Sequence, residues 1–247
     1  GGPEISGFVA DMGRLPFCVA ELLTAGSASG ASFQSPCDSS LINLWGEDQD
    51  ASSGLSFGWR GPYIQVLPER NGELRFRDGY GNSDTSDALN SGWKWLVSHS
   101  SNASNAFVSI QSAGVSSIFD DGDDYPSGAI SSIEPIVYER DHFIGINNFT
   151  ARVLFLNDSS TPINSISEAG MSLLIHYPDG NGISTSLFSD DFSLFVDASN
   201  PIPISGSRQS AQITFSGGEF IPLGVRTVEV LCSDGKAFKG TSCSDTH

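Results

Sequence analysis

Gly58-Trp59-Arg60-Gly61-Pro62-Tyr63, followed by Leu67-Pro68 and then Asp78-Gly79-Tyr80-Gly81-Asn82, sets the architecture expected of this chain. Glycines, prolines and rings alternate here too tightly for a helix, because Gly and Pro supply turn dihedrals and interrupt the repeating backbone hydrogen bonds. The spacing predicts a compact turn, a strand over Tyr63-Ile64-Gln65-Val66-Leu67 and a second turn, with the aromatic rings anchoring irregular backbone to a core. Trp59, Gly61, Pro62, Tyr63, Asp78, Gly79, Tyr80 and Gly81 are read as architectural residues.

Upstream, Ile5, Phe8, Val9 and Met12 recur at helical spacing and give one apolar face over about two turns. Gly13 offers a left-handed cap and Pro16 prevents the helix from resuming. Residues 24 to 58 are rich in Ser, Ala, Gly and Asp and read as a long loop. Downstream, Leu74-Arg75-Phe76-Arg77, Trp93-Lys94-Trp95-Leu96-Val97 and Ala106-Phe107-Val108-Ser109-Ile110 read as strands of a small antiparallel sheet against the helix.

Beyond Pro135 the texture changes. Ile136-Val137-Tyr138, Ala151 to Leu156, Met171 to Tyr177, Phe192 to Val196, Ala211 to Phe215 and Arg226 to Leu231 are strand-like. Turn clusters such as Pro178-Asp179-Gly180-Asn181-Gly182 lie between them, a pattern that suggests an immunoglobulin-like β-sandwich. The expected class is therefore α+β. A helix on a small antiparallel sheet occupies residues 1–134, and a mostly-β domain occupies residues 135–247.

With 247 residues the chain has room for a substantial core. The net charge of −17 argues against a nucleic-acid partner, since phosphate binding draws on clustered Lys and Arg, and against anionic membrane surfaces. Cys18, Cys37, Cys232 and Cys243 make an even count with no Cys-x-x-Cys pair, which suits disulfides in an oxidising compartment. Sequence proximity favours Cys18 with Cys37 and Cys232 with Cys243, although three connectivities remain open. No stretch approaches the roughly 20 apolar residues that span a membrane.

The ordered set Asp11-Met12-Gly13-Arg14-Leu15-Pro16, Glu21-Leu22-Leu23, Trp59 to Tyr63, Leu67-Pro68 and Asp78 to Asn82 resembles the globular domain of type IV pilin-like proteins, especially the pseudopilins of type II secretion. That family often has an Asp-Pro-Trp-Gly-Asn-type second turn; Gly79 and Tyr80 depart from it. The resemblance covers roughly residues 4 to 134. It implies a long apolar N-terminal helix ahead of this chain, so that Gly1 marks a soluble truncation; native residues and cloning remnants are both open readings of Gly1 and Gly2. It also implies membrane contact only through that helix, other pilin or pseudopilin subunits as partners, and a periplasmic or cell-surface location with inner-membrane anchoring before assembly.

Ser112-Ala113-Gly114, followed by Asp120, Asp121, Asp123 and Asp124, resembles the segment where the major pseudopilin binds calcium. Carboxylates in a Gly-containing loop are the hard oxygen ligands that calcium takes. Ser116 stands where the family has an Asp, and Tyr125 stands where an EF-hand loop would put a third oxygen ligand. The four aspartates are candidate calcium ligands, and the competing reading is a solvated acidic turn.

Nothing marks a catalytic site. His99, His142, His176 and His247 form no metal-binding spacing, and no Gly-x-Ser-x-Gly elbow or phosphate loop occurs. The expectation is a noncatalytic structural subunit, a minor pilin or pseudopilin, with its bulky C-terminal half favouring a low-copy or tip position. The alternative is a surface adhesin or carbohydrate-binding module in which the C-terminal sandwich does the recognition and the pilin-like part is a stalk. A separate candidate for glycan contact is a sugar-stacking platform of Trp45, Trp59, Trp93 and Trp95, against core packing of those rings; Trp93 and Trp95, two apart, would share one strand face.

Overall fold

A computed structural model of the protein describes residues 3–29, 32–37, 41–43, 54–55, 58–80, 92–98, 106–119, 122–146, 149–157, 161–163, 166–180, 184–196, 199, 208–215, 220–239 and 242–244. Helix α1 (Pro3–Met12) turns Ile5, Phe8, Val9 and Met12 inward, as their spacing dictates, and all four are buried. It stops where expected: Gly13 has φ of 72°, a left-handed conformation that glycine takes without strain, and the chain then reaches Pro16. Helix α2 (Ala20–Leu23) is a single turn. The segment read as a long loop carries a small antiparallel sheet of β1 (Ser27–Ser29), β2 (Ser32–Gln34) and β3 (Leu41–Asn43).

Strands β4 (Trp93–Ser98), β5 (Phe107–Ser112) and β6 (Val137–Tyr138) form a second antiparallel sheet in that order. A first core joins Ile5, Phe8, Val9, Met12, Leu15 and Leu22 to Ala106, Val108 and Val137. Val137 and the partly buried Phe143 pack into this core although they lie past the expected division at 134/135.

The remaining strands are β7 (Phe143–Gly145), β8 (Thr150–Leu156), β9 (Ile166–Pro178), β10 (Ser184–Phe188) and β11 (Phe192–Val196), then β12 (Arg208–Thr214), β13 (Phe220–Pro222), β14 (Thr227–Leu231), β15 (Ala237–Lys239) and β16 (Ser242–Ser244). The 13-residue β9 is central: β14 runs along one edge, while β10 and β11 pair successively with its two halves. In β11, Phe192, Leu194 and Val196 are buried while Ser193 and Phe195 face outward, as a half-buried strand requires. These three join Met171, Leu173, Ile175, Ile213 and Phe215 in a second core.

The expected α+β class does not hold. The molecule is mostly β, 38% strand against 12% helical, with a curled antiparallel half-barrel sheet. Among the described residues α1 is the only helix of seven or more, and no long N-terminal helix packs on a sheet. Ten residues make a helix of only about 15 Å, and Gly13 and Pro16 end it. Most of the chain beyond Pro16 consists of short alternating runs between Gly, Pro, Ser and Asp turns, which favour strands. The mostly-β character is compatible with a β-sandwich.

Two further expectations fail locally. Tyr63 to Leu67 and Leu74 to Arg77 form no strand. The Tyr63 and Ile64 N–H groups both donate to the Leu22 carbonyl, at 2.8 and 3.2 Å, so the backbone there is spent on α2 and not on a ladder.

The two halves meet around the C-terminal end of α1. A Cβ added to Gly13 would collide with the Pro178 carbonyl oxygen, so β9 approaches this turn too closely for any side chain. Arg226 donates through Nη1 to the Ala10 carbonyl at 3.3 Å, one of the carbonyls a helix leaves without a partner at its last turn. Its other donors reach the Pro222 and Leu223 carbonyls. Burial pulls this guanidinium down to about 10.

Candidate functional site: the aromatic corner, the acidic turn and the groove between them

The aromatic motif clips the loop after residue 58 onto both helices. The Tyr63 ring meets Phe8 edge-on at 5.4 Å and Trp59 at 5.8 Å, close to the T-shaped geometry that ring quadrupoles favour. Its hydroxyl donates to Asp11 Oδ2 at 2.7 Å and accepts from the Arg60 N–H at 3.0 Å. Burial, with the Asp11 carboxylate beside it, pushes this phenol far above its ordinary range. Trp59 Nε1 donates to the Glu21 carbonyl at 2.6 Å. Gly61 is required because a Cβ there would sit 2.8 Å from both the Trp59 and Tyr63 rings.

Beneath the corner lies a buried ion pair that the sequence did not reveal. Glu21 accepts from Arg14, from the Phe17 N–H at 2.8 Å and from Ser35 Oγ at 2.7 Å. The Arg14 guanidinium also stacks on Phe17, 4.1 Å from the ring centre. Cys18 and Cys37 form a disulfide in this region, and Cys232 and Cys243 form the second, matching the pairs that sequence proximity favours. Such bonds persist in oxidising compartments, which places the protein outside the cytoplasm.

In the second turn, Asp78 is buried and accepts from Ser112 Oγ at 2.7 Å. Gly79 and Tyr80 are exposed, and Gly81 lies outside the described residues. Ser112 also pairs with Tyr125 through an antiparallel bridge, which closes the acidic turn at its base. Within that turn Asp123 Oδ2 accepts from the Ser116 N–H at 2.8 Å. Asp124 is buried, and Asp120 and Asp121 lie outside the described residues.

The four candidate calcium ligands are therefore placed only in part. Among the described residues the one convergent group of metal-ligand type is Cys232, Asp234 and Cys243. Two of its atoms are disulfide sulfurs, which are not thiolates and do not ligate as such.

Of the four tryptophans, Trp45 lies outside the described residues and Trp59 faces the core. Trp95 donates from Nε1 to the Pro16 carbonyl at 3.0 Å. Trp93 stacks parallel to Phe76, 6.2 Å between ring centres and 12° between planes. Both β4 indoles line a cavity of about 490 Å³ together with Ile64, Phe76, Ile110 and Ile136. The spacing of Trp93 and Trp95 put them on one face; the other walls come from segments that the tertiary fold brings there.

Two more buried groups lie in the 3₁₀ turn Glu139–His142 beside α1. Burial pushes the Glu139 carboxyl up to about 7 and holds the His142 imidazole below its ordinary value. Nδ1 of His142 meets Ser6 Oγ at 3.1 Å. On β9, His176 is also buried and lies 3.3 Å from Glu229 on β14, a hydrogen-bonded position within an apolar strand.

No family model, curated protein or solved structure matches the chain. No helix among the described residues is long and apolar enough to cross a membrane.

Proposed function

We propose that the protein is a noncatalytic filament subunit, a minor pilin or pseudopilin of a type IV pilus or type II secretion filament. One observation carries the reading. The ordered motifs at Asp11 to Pro16, Glu21 to Leu23 and Trp59 to Tyr63 form one interlocked unit: Tyr63 bonds Asp11, Trp59 bonds Glu21, and the Tyr63 backbone bonds Leu22. A shared assembly of this kind explains why these residue types occur in this order, and a resemblance confined to single motifs would not need it. Subunits of this class assemble by packing apolar N-terminal helices, while the globular part sets lateral fit. The added β-rich half favours a low-copy or tip position, and calcium on the acidic turn belongs to the same proposal.

Mass-spectrometric sequencing of the native N-terminus tests it. An apolar segment of about 20 residues ahead of Ile5, opening on a methylated residue with Glu at its fifth position, is the expected result. Native protein that begins at Gly1 after an ordinary secretion signal overturns the reading. Immunogold labelling spread evenly along native filaments would remove the tip assignment. Calorimetric titration of metal-stripped protein tests calcium: no heat and no rise in melting temperature at millimolar calcium rules it out.

A further inference from the structure

The corner formed by β14, β15 and β16 gathers more than a disulfide needs. Cys232 Sγ, Cys243 Sγ and a carboxylate oxygen of Asp234 all lie within 4.8 Å of one another, the one such convergence among the described residues. Disulfide formation runs through a thiolate, which a neighbouring carboxylate disfavours, so the S–S bond alone does not account for Asp234. A cation placed among the three reverses that sign: it draws both thiols into their anionic form and takes the carboxylate as a third ligand.

Backbone pairing holds this corner together alongside the S–S bond. β15 pairs with β14 at Leu231–Ala237 and with β16 at Phe238–Cys243. The turn between β14 and β15 is closed by the Gly235 N–H to the Cys232 carbonyl and the Cys232 N–H to the Lys236 carbonyl, both at 2.9 Å. Phe238 fastens β15 to the second core, edge-on to Phe155 at 5.7 Å. Asp234 is oriented by the same turn, its Oδ1 accepting from the Lys236 N–H at 3.1 Å. Its Oδ2 faces Lys236 Nζ at 3.5 Å, a half-exposed pair weak enough for a divalent cation to displace. Two thiolates on tetrahedral zinc, each at about 2.3 Å, sit about 3.8 Å apart, inside the span these donors share.

We propose that the dithiol form of this corner binds one zinc ion through Cys232, Cys243 and Asp234, with water as the fourth ligand, and that oxidation to the disulfide expels it. On loading, the two thiols lose their protons as two Zn–S bonds form. On expulsion, a disulfide oxidant such as oxidised glutathione accepts two electrons and two protons and breaks into two thiols. The Cys232–Cys243 bond forms and zinc leaves with water. The newly made chain carries reduced thiols, so the zinc site precedes the disulfide. It does not depend on the filament reading.

The test uses the full chain, reduced with a phosphine, and cobalt(II) as probe, because thiolate charge-transfer and tetrahedral ligand-field bands report ligand and geometry. One equivalent should give both bands in the parent and in the double variant Cys18→Ser, Cys37→Ser, and zinc should bleach them. The double variant Cys232→Ser, Cys243→Ser should show neither, although it keeps two thiols at Cys18 and Cys37. Asp234→Asn should weaken binding roughly tenfold or more, since even outer-shell partners of a metal are worth roughly 10- to 100-fold. Oxidised glutathione should release the zinc, and the oxidised protein should give neither band. Octahedral bands alone, bands that survive without Cys232 and Cys243, parental affinity in Asp234→Asn, or both bands from oxidised protein overturn the proposal. So do bands that arise only in samples whose circular dichroism shows the strands lost, which would assign them to unfolded chain.

Discussion

Arg14 forks onto Glu21, with Nη1 to Oε2 at 2.7 Å and Nη2 to Oε1 at 2.8 Å, and both side chains are almost wholly removed from solvent. Two charges out of water are tolerated because nearly every Glu21 lone pair is met: the Phe17 N–H and Ser35 Oγ complete the set. The pair ties α1's exit to α2 and to the disulfide loop. Glu21→Ala should strand the guanidinium and destabilise the fold by about 3–5 kcal/mol, read as a lower urea midpoint. At the exposed Lys236–Asp234 pair, Asp234→Ala should change stability by no more than about 1 kcal/mol.

Gly13 and Gly72 offer a controlled comparison of strain with strain plus collision. Both have positive φ, 72° and 83°, but a Cβ at Gly72 meets nothing within 4 Å while one at Gly13 meets the Pro178 carbonyl. Gly72→Ala should cost only the left-handed strain of about 1–2 kcal/mol. Gly13→Ala should cost clearly more, because β9 must move away from α1, and thermal unfolding of the two variants reads the difference.

Glu139 gives the stability a pH dependence of defined sign. Its carboxyl is raised by burial to about 7 in the folded state, above its unfolded value, so the folded form holds a proton that the unfolded form releases. The associated stability is full below the unfolded pKa and is lost as pH rises to about 7. Glu139→Gln stays neutral throughout, so above pH 7 it should exceed the parent by about 3 kcal/mol, and the difference should fade toward pH 4. His142 acts in the opposite sense: its lowered pKa contributes stability above the ordinary imidazole value that is lost on acidification. The variant-minus-parent difference, measured by urea unfolding across pH 4 to 8, isolates Glu139 from it.

The disulfides close separations of 19 and 11 residues. Loop-closure entropy gives each about 3 kcal/mol, with the longer Cys18–Cys37 loop ahead by a few tenths. Replacing both cysteines of either pair with serine should lower the unfolding free energy by that amount, checked in equilibrium urea titrations.

How much of this was legible depends on where each residue's partner lies. The helix end at Gly13 and the strands β4, β5, β8, β9, β11, β12 and β14 could be read because hydrophobic period and turn chemistry are written within a few adjacent positions. The short strands β1, β2 and β3 could not: three-residue runs in a Ser- and Gly-rich stretch carry too little alternation to show above a loop. Tyr63 to Leu67 misled for the opposite reason. Its side-chain pattern suits a strand, but Leu22, some 40 positions away, takes its first two backbone donors, those of Tyr63 and Ile64.

The acidic surface charge, the four-cysteine oxidised framework, the end of α1 and the positions of the longer strands were all settled by the amino-acid sequence. Composition and local periodicity act through neighbours along the chain, and neighbours suffice for those properties. It took the folded molecule to establish that the class is mostly β, that Arg226 meets Ala10, that Arg14 and Glu21 are buried together, and that Phe76 lies against Trp93 over a groove. Each of these needs a partner supplied from a distance, and burial, unlike periodicity, is a property of the assembled chain.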